Sequence, residues 1–170
     1  MLQGQVTAMA PVRRVLMCLG LLAVSGGQVP ASEGFRDWTV SCAEAPAACV
    51  LSTSAIAHDD TWLATLRLRL AADQPEPARL QALVPPSVHL GSGLFLGVGR
   101  QEPLPLAYLR CAPDHCEAAA ALDTPRLEAM MAGRAAVLTY RPSISSPPVS
   151  FEVSLMGITA AIGHARAQLP

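Results

Sequence analysis

Lysine is missing from the 170-residue chain: all twelve cationic side chains are arginine, set against thirteen Asp and Glu. So even a balance provides neither a basic footprint for nucleic acid nor a polybasic membrane patch, and neither partner is expected. Aromatic residues are scarce too, 4% of the chain against 51% hydrophobic residues in all, so a core has to be assembled from Leu, Val and Ala. No apolar run reaches the ~20 residues that a permanent membrane helix needs. A phosphate-binding loop, a dinucleotide fingerprint, a zinc-protease motif and paired catalytic carboxylates are all absent from the sequence. Fifteen prolines and twelve glycines are present, and they cut the chain into short segments, which favours strands and turns over long helices.

The first thirty residues have the build of a secretory signal peptide. Arg13 and Arg14 close a start without acids, and residues 15–24 form an apolar run. Ser25-Gly26-Gly27-Gln28 follows, and Val29-Pro30-Ala31 places small residues where a signal peptidase reads. Residues 1–31 are therefore expected to be cleaved, leaving one domain, 32–170, that starts at Ser32. Lipid attachment at Cys18 is rejected, because Met17 is too bulky for a lipobox and only three apolar residues separate Cys18 from the arginines. Cleavage leaves ten arginines against thirteen acids, a net charge near −3.

Within the mature chain, residues 62–70 alternate with period two, which sets Trp62, Ala64, Leu66, Leu68 and Leu70 on one face and Thr65, Arg67 and Arg69 on the other. Weaker alternation marks strands at 35–41, 49–57, 80–84, 94–98, 106–111, 116–122, 136–141 and 149–155, with the turn-rich Asp73-Gln74-Pro75-Glu76-Pro77 as a connection. Asp123-Thr124-Pro125 caps a short helix that Gly133 stops. Ile158, Ala161, Ile162 and Ala165 predict a terminal helical turn or two. Many short strands separated by turns argue for a β-sandwich or barrel.

Four cysteines remain after cleavage, as the close pairs Cys42/Cys49 and Cys111/Cys116. An oxidising compartment, an even count and turn residues between the members of each pair predict two hairpin disulfides, Cys42–Cys49 and Cys111–Cys116. Four cysteines permit three connectivities, and proximity in sequence selects this one. The alternative is a zinc site of four thiolates, or of Cys111, His115 and Cys116 with a distant ligand, although neither pair has C-x2-C spacing. His58-Asp59-Asp60 is the densest polar cluster; with Ser52 and Ser54 it offers the parts of a hydrolytic triad, but a hairpin turn accounts for it more simply. His89 and His164 stand alone as surface or rim histidines. Arg67 and Arg69 read as a solvated strand face with anion binding as the minor alternative. Met130 and Met131 read as core filler.

Several landmarks together resemble the invasion-associated locus B family of exported bacterial proteins. Phe35-Arg36-Asp37-Trp38-Thr39-Val40-Ser41-Cys42 is similar to the family's F-x-D-W-x-V-x-C opening, and Val84-Pro85-Pro86-Ser87-Val88-His89-Leu90-Gly91-Ser92-Gly93-Leu94 to its V-P-x-x-V-x-L-x-x-G-L segment. Tyr108 before the Cys111/Cys116 pair, the helix after it, and Val153-Ser154-Leu155-Met156-Gly157-Ile158 complete the series. Ile158, where an aromatic is usual, and the absence of lysine are departures. The resemblance implies an all-β, immunoglobulin-like β-sandwich with one or two short helices, and export to the periplasm or cell surface. It also implies a family label tied to host-cell invasion. The expected function is a non-enzymatic structural or protein-binding module that meets an unknown envelope or host protein and uses no metal or cofactor. The alternative is a small periplasmic hydrolase or metal-binding protein using His58, Asp59 and Asp60, or the Cys111-His115-Cys116 group.

Overall fold

The computed structural model of the protein describes residue 1 and residues 32–44, 47–72 and 77–170. The signal segment with Cys18, and most of the 73–77 connection, lie outside the described residues. Ten strands are present: β1 (Ser32–Phe35), β2 (Trp38–Glu44), β3 (Ala47–Ile56), β4 (Trp62–Ala71), β5 (Ala78–Val84), β6 (Leu94–Val98), β7 (Leu104–Cys111), β8 (Cys116–Leu122), β9 (Ala135–Tyr140) and β10 (Val149–Ser154). Two helices, α1 (Thr124–Ala132) and α2 (Ile158–Gln168), complete the described elements with a single 3-10 turn at Leu90–Ser92. Every strand pairing is antiparallel, in the order β1-β2-β3-β4-β5-β8-β7-β6-β9-β10. The all-β expectation with two short helices and two disulfides is met.

The sheet curls because β7 serves both of its halves. Leu104, Pro105 and Leu106 pair with β6, whereas Ala107 to Cys111 pair with β8. Leu, Ala and Val from both halves point into one shared core, including Leu51, Leu66, Leu68, Leu80, Leu94, Leu96, Leu122 and Leu138. The two ends of the strand order then meet. The buried Trp38 of β2 donates its indole N–H to the Ser154 carbonyl of β10 at 3.1 Å, and the Asp37 N–H donates to the Met156 carbonyl at 3.3 Å. The Ser154 hydroxyl also donates to the Asp37 carboxylate. Few aromatics are available, and one of them closes the fold.

Both helices form where the sequence predicts. The Asp123 carboxylate accepts from the Arg126 N–H and caps α1, with Pro125 in the first turn and Gly133 at the end. Ile158, Ala161, Ile162 and Ala165 are the buried stripe of α2, which runs eleven residues and so exceeds the predicted turn or two. It lies against β1, β2 and β3 and meets α1, where the Thr159 hydroxyl donates to the Met131 carbonyl at 2.8 Å. Burial of that apolar stripe outweighs the low helix propensity of Gly163.

Two local readings differ from the structure. The single strand predicted over 35–41 is broken by a two-residue turn at Arg36 and Asp37, with Phe35 opposite Trp38 and Arg36 at φ 57°. Strand-like composition hid this, because a positive φ at an arginine leaves no mark in the pattern. Trp62 does not join the core with Leu66 and Leu68. Ala55 pairs with Ala64 but Ile56 pairs with Trp62, so Leu63 is an extra residue in β4 and the facing reverses there. The Trp62 indole donates instead to the Thr65 hydroxyl at 3.0 Å, on the outer face.

The disulfides Cys42–Cys49 and Cys111–Cys116 each join directly opposed residues of neighbouring strands, with Cα atoms 4.0 Å apart in both. Non-reducing peptide mapping should recover these two linkages and no free thiol in the mature protein; a Cys42–Cys111 linkage would contradict the hairpin assignment. Replacing either pair with alanine should lower the unfolding free energy by about 2 to 3 kcal/mol, as loop-closure entropy for such short loops implies, measured by urea denaturation.

Candidate functional site

The polar cluster His58-Asp59-Asp60 forms the β3–β4 turn. The Ala57 N–H donates to the Thr61 carbonyl at 2.8 Å, the Asp60 N–H to the Ala57 carbonyl at 3.1 Å, and the Thr61 N–H to Asp59 Oδ1 at 3.1 Å. The Thr61 side chain first, and then this backbone bond, hold the Asp59 carboxyl below its usual range. His58 is exposed, and Ser54 shares its hydroxyl with Thr65 at 2.8 Å, so no triad is assembled. His89 accepts or donates at Nδ1 to the Ser92 hydroxyl at 2.7 Å within the 3-10 turn. His164 on α2 lies 3.1 Å from Glu33 and stacks obliquely on Phe35. Met130 is fully buried and Met131 half-buried.

At the other hairpin, Cys111 and Cys116 are bonded to each other, so neither offers a thiolate, and His115 turns to carboxylates. Its two ring nitrogens sit 3.0 Å from Asp114 and 3.3 Å from Glu117. Glu117 is the centre of this group. Its carboxylate, nearly buried on the outer face of β8, accepts two bonds from the Arg110 guanidinium at 2.9 and 2.6 Å and one from the Gln81 amide at 3.1 Å. Arg110 above all, then His115, pulls the Glu117 carboxyl down from 4.5 to about 2, against the cost of its desolvation. Asp114 first and Glu117 second raise the His115 imidazole.

Beside this network the same outer face becomes strongly cationic. Alternation sends Leu66, Leu68 and Leu70 inward and therefore Arg67 and Arg69 outward. Pairing of β4 with β5 puts Arg79 directly opposite Arg69 and Gln81 directly opposite Arg67. Val50, Arg67, Arg69, Arg79, Gln81, Leu109 and Ala119 enclose a surface cavity of about 310 Å³. Among the described residues none of these three arginines makes an ion pair, and the nearby Glu117 is already taken by Arg110 and His115. Leu109 stands out beside the cavity because the β7–β8 register shifts between Tyr108 and Arg110. The outer face of the other half of the sheet is different: half-exposed Phe95 and Val137 flank Gly97 in an apolar depression.

The family model described as Invasion associated locus B (IalB) protein matches residues 38–166, from the buried tryptophan of β2 to the last turns of α2. The chain belongs to the invasion-associated locus B family. It is 28% identical over 148 residues to an invasion protein B homolog of Brucella abortus (strain 2308), covering 85% of this chain and 84% of that protein. A homolog from Brucella abortus biovar 1 (strain 9-941) matches to the same extent. The crystal structure of invasion associated protein B from Bartonella henselae has a TM-score of 0.71 to this fold at 18% identity, over 81% of this chain and 96% of that one.

In this member of the invasion-associated locus B family Trp38 and both cysteine pairs tie strands together, and Gly157 lets the start of α2 approach the Phe35 carbonyl. Ile158 is buried at the start of α2. Sequence reasoning passed over Glu117, Gln81, Arg79 and Arg110. Arg79 was visible as an outward residue next to buried Leu80, but its place opposite Arg69 depends on strand register. Glu117 should impose a pH dependence. Its folded-state value lies below its ordinary one, so its contribution is complete above pH 4.5 and fades as pH falls toward 2. Glu117→Gln should cost about 1.5 to 3 kcal/mol at neutral pH, as lost charged hydrogen bonds do, and the gap from the parent should close in urea melts taken toward pH 2. His115 has the opposite sign: its contribution is present below pH 6.5 and is lost as pH rises through its raised value, so His115→Ala should destabilise more at acid than at alkaline pH.

Proposed function

We propose that this member of the invasion-associated locus B family is an exported, non-enzymatic module of the periplasm or cell surface that binds an envelope or host protein. The observation that carries the reading is how the polar candidates for chemistry are used. His58-Asp59-Asp60 builds a turn, and the Cys111-His115-Cys116 hairpin is stapled and tied to Glu117. The interior is filled by Leu, Ala, Val and Ile, so functional chemistry falls to the outer surface. The signal-like residues 1–31 supply the export argument. Among the described residues no helix is long and apolar enough to cross a membrane. The link to host cells comes from the names of the relatives, which are invasion proteins.

Crosslinking in the native envelope followed by purification tests the reading. One recurrent protein partner is expected, together with a mature N-terminus near Ser32. Hydrolytic turnover that disappears in His58→Ala, with no protein partner recovered, would overturn it in favour of the small hydrolase.

A further inference from the structure

We propose that the arginine-lined cavity on the outer face of β3, β4, β5, β7 and β8 binds a soluble phosphate monoester whose organic part is apolar. The proposal is independent of the protein-partner reading, since it concerns a small-molecule site and does not require export.

Three observations lead to it. The first is a concentration of like charge: like charges directly opposite on paired strands destabilise a sheet, and Arg69 faces Arg79 in that way with Arg67 two residues along the same strand. Among the described residues no carboxylate pairs with any of the three, and Glu117 on this face is held by Arg110 and His115. A bound anion would relieve the repulsion, so anion binding and fold stability are linked.

The second is geometry. The Cα atoms of Arg67 and Arg69 are about 7 Å apart along β4 and that of Arg79 is about 5 Å across from Arg69 on β5, and all three residues line the one cavity. A carboxylate has two coplanar oxygens and satisfies one guanidinium fork. A phosphate monoester has three terminal oxygens and a charge close to −2, and can accept from all three. Gln81, already donating to Glu117, lines the same cavity and ties its floor to the rigid Glu117 network.

The third is the rest of the lining. Val50, Leu109 and Ala119 contribute apolar surface, and Leu109 projects from its bulge without a polar partner. A cavity of about 310 Å³ holds more than an inorganic anion and suits a phosphate with a small apolar group attached.

Isothermal titration of the purified protein at low salt with phenyl phosphate tests the site, with inorganic phosphate and benzoate as comparators. Saturable one-to-one binding is expected, with phenyl phosphate bound roughly tenfold more tightly than benzoate. Arg69→Gln and Arg79→Gln should each weaken it by about tenfold or more. Arg166→Gln, at an exposed position of α2, should leave it unchanged. Leu109→Ala should weaken phenyl phosphate and spare inorganic phosphate. Because all four positions are on the surface, circular dichroism should show each variant folded; should one fail to fold, the other arginine variant decides. Absence of saturation at about 10 mM phenyl phosphate, weaker than any useful millimolar site, would overturn the proposal. So would equal losses in Arg69→Gln and Arg166→Gln, which would indicate diffuse charge. Retention on phosphatidic acid vesicles without binding of soluble phenyl phosphate would overturn the soluble ligand and assign the arginines to a lipid surface.

Discussion

Trp38→Ala should lower the unfolding free energy by about 3 to 5 kcal/mol, the range for truncating a fully buried tryptophan. Trp38 is completely enclosed, and it supplies a large aromatic surface to a core otherwise made almost entirely of aliphatic side chains. Its removal leaves a cavity that neighbouring Leu and Val cannot fill without leaving their rotamers. The indole also bonds Ser154 across the seam where β2 meets β10, so the substitution loosens the closure of the curled sheet. Trp38→Phe separates the two contributions. It keeps most of the apolar surface but leaves the Ser154 carbonyl without its donor, and should cost about 1 to 3 kcal/mol. Urea denaturation of both variants is the measurement. A loss below about 1 kcal/mol in Trp38→Ala would mean that the seam contributes little to stability.

Gly157→Ala should cost about 2 to 5 kcal/mol, combining a left-handed backbone with steric overlap. Gly157 adopts φ 98° at the start of α2, and a Cβ there would run into the Phe35 carbonyl and come within 3.1 Å of the Arg36 Cβ. The obstruction is backbone, which cannot swing aside as a side chain can. Relief requires the β1–β2 turn to separate from the β10–α2 junction, breaking the Asp37 and Trp38 bonds to Met156 and Ser154. Gly163→Ala is the matched control six residues along. A Cβ at Gly163 meets open space within a regular helix, so the substitution should stabilise by about 0.5 to 1 kcal/mol. Opposite signs in thermal or urea melts are the expected result; a neutral Gly157→Ala would remove the close approach as the reason for glycine at this position.

Much of the architecture was legible because its signals are local. The alternation of residues 62–70, the Asp123 cap with Pro125 and Gly133, and the turn chemistry around the cysteines each act over a few bonds, and each element formed within a few residues of its expected limits. The need for glycine at position 157 was not legible, since the Phe35 carbonyl that requires it is distant in sequence. Arg36 and Trp62 were misread for a related reason. A positive φ and an extra residue in a strand change the facing of side chains without altering composition.

The amino-acid sequence by itself determined where most strands and both helices lie, which face of most of them was apolar, and which cysteines lay close enough to bond, because periodicity and chain proximity are properties of neighbouring residues. Only the tertiary structure decided that β7 belongs to both halves of the sheet, that Trp38 closes it onto β10, and that Arg67, Arg69 and Arg79 surround one cavity while Glu117 answers to Arg110 and His115. Those outcomes follow from strand order and register, which are set by the joint burial of side chains far apart in the chain.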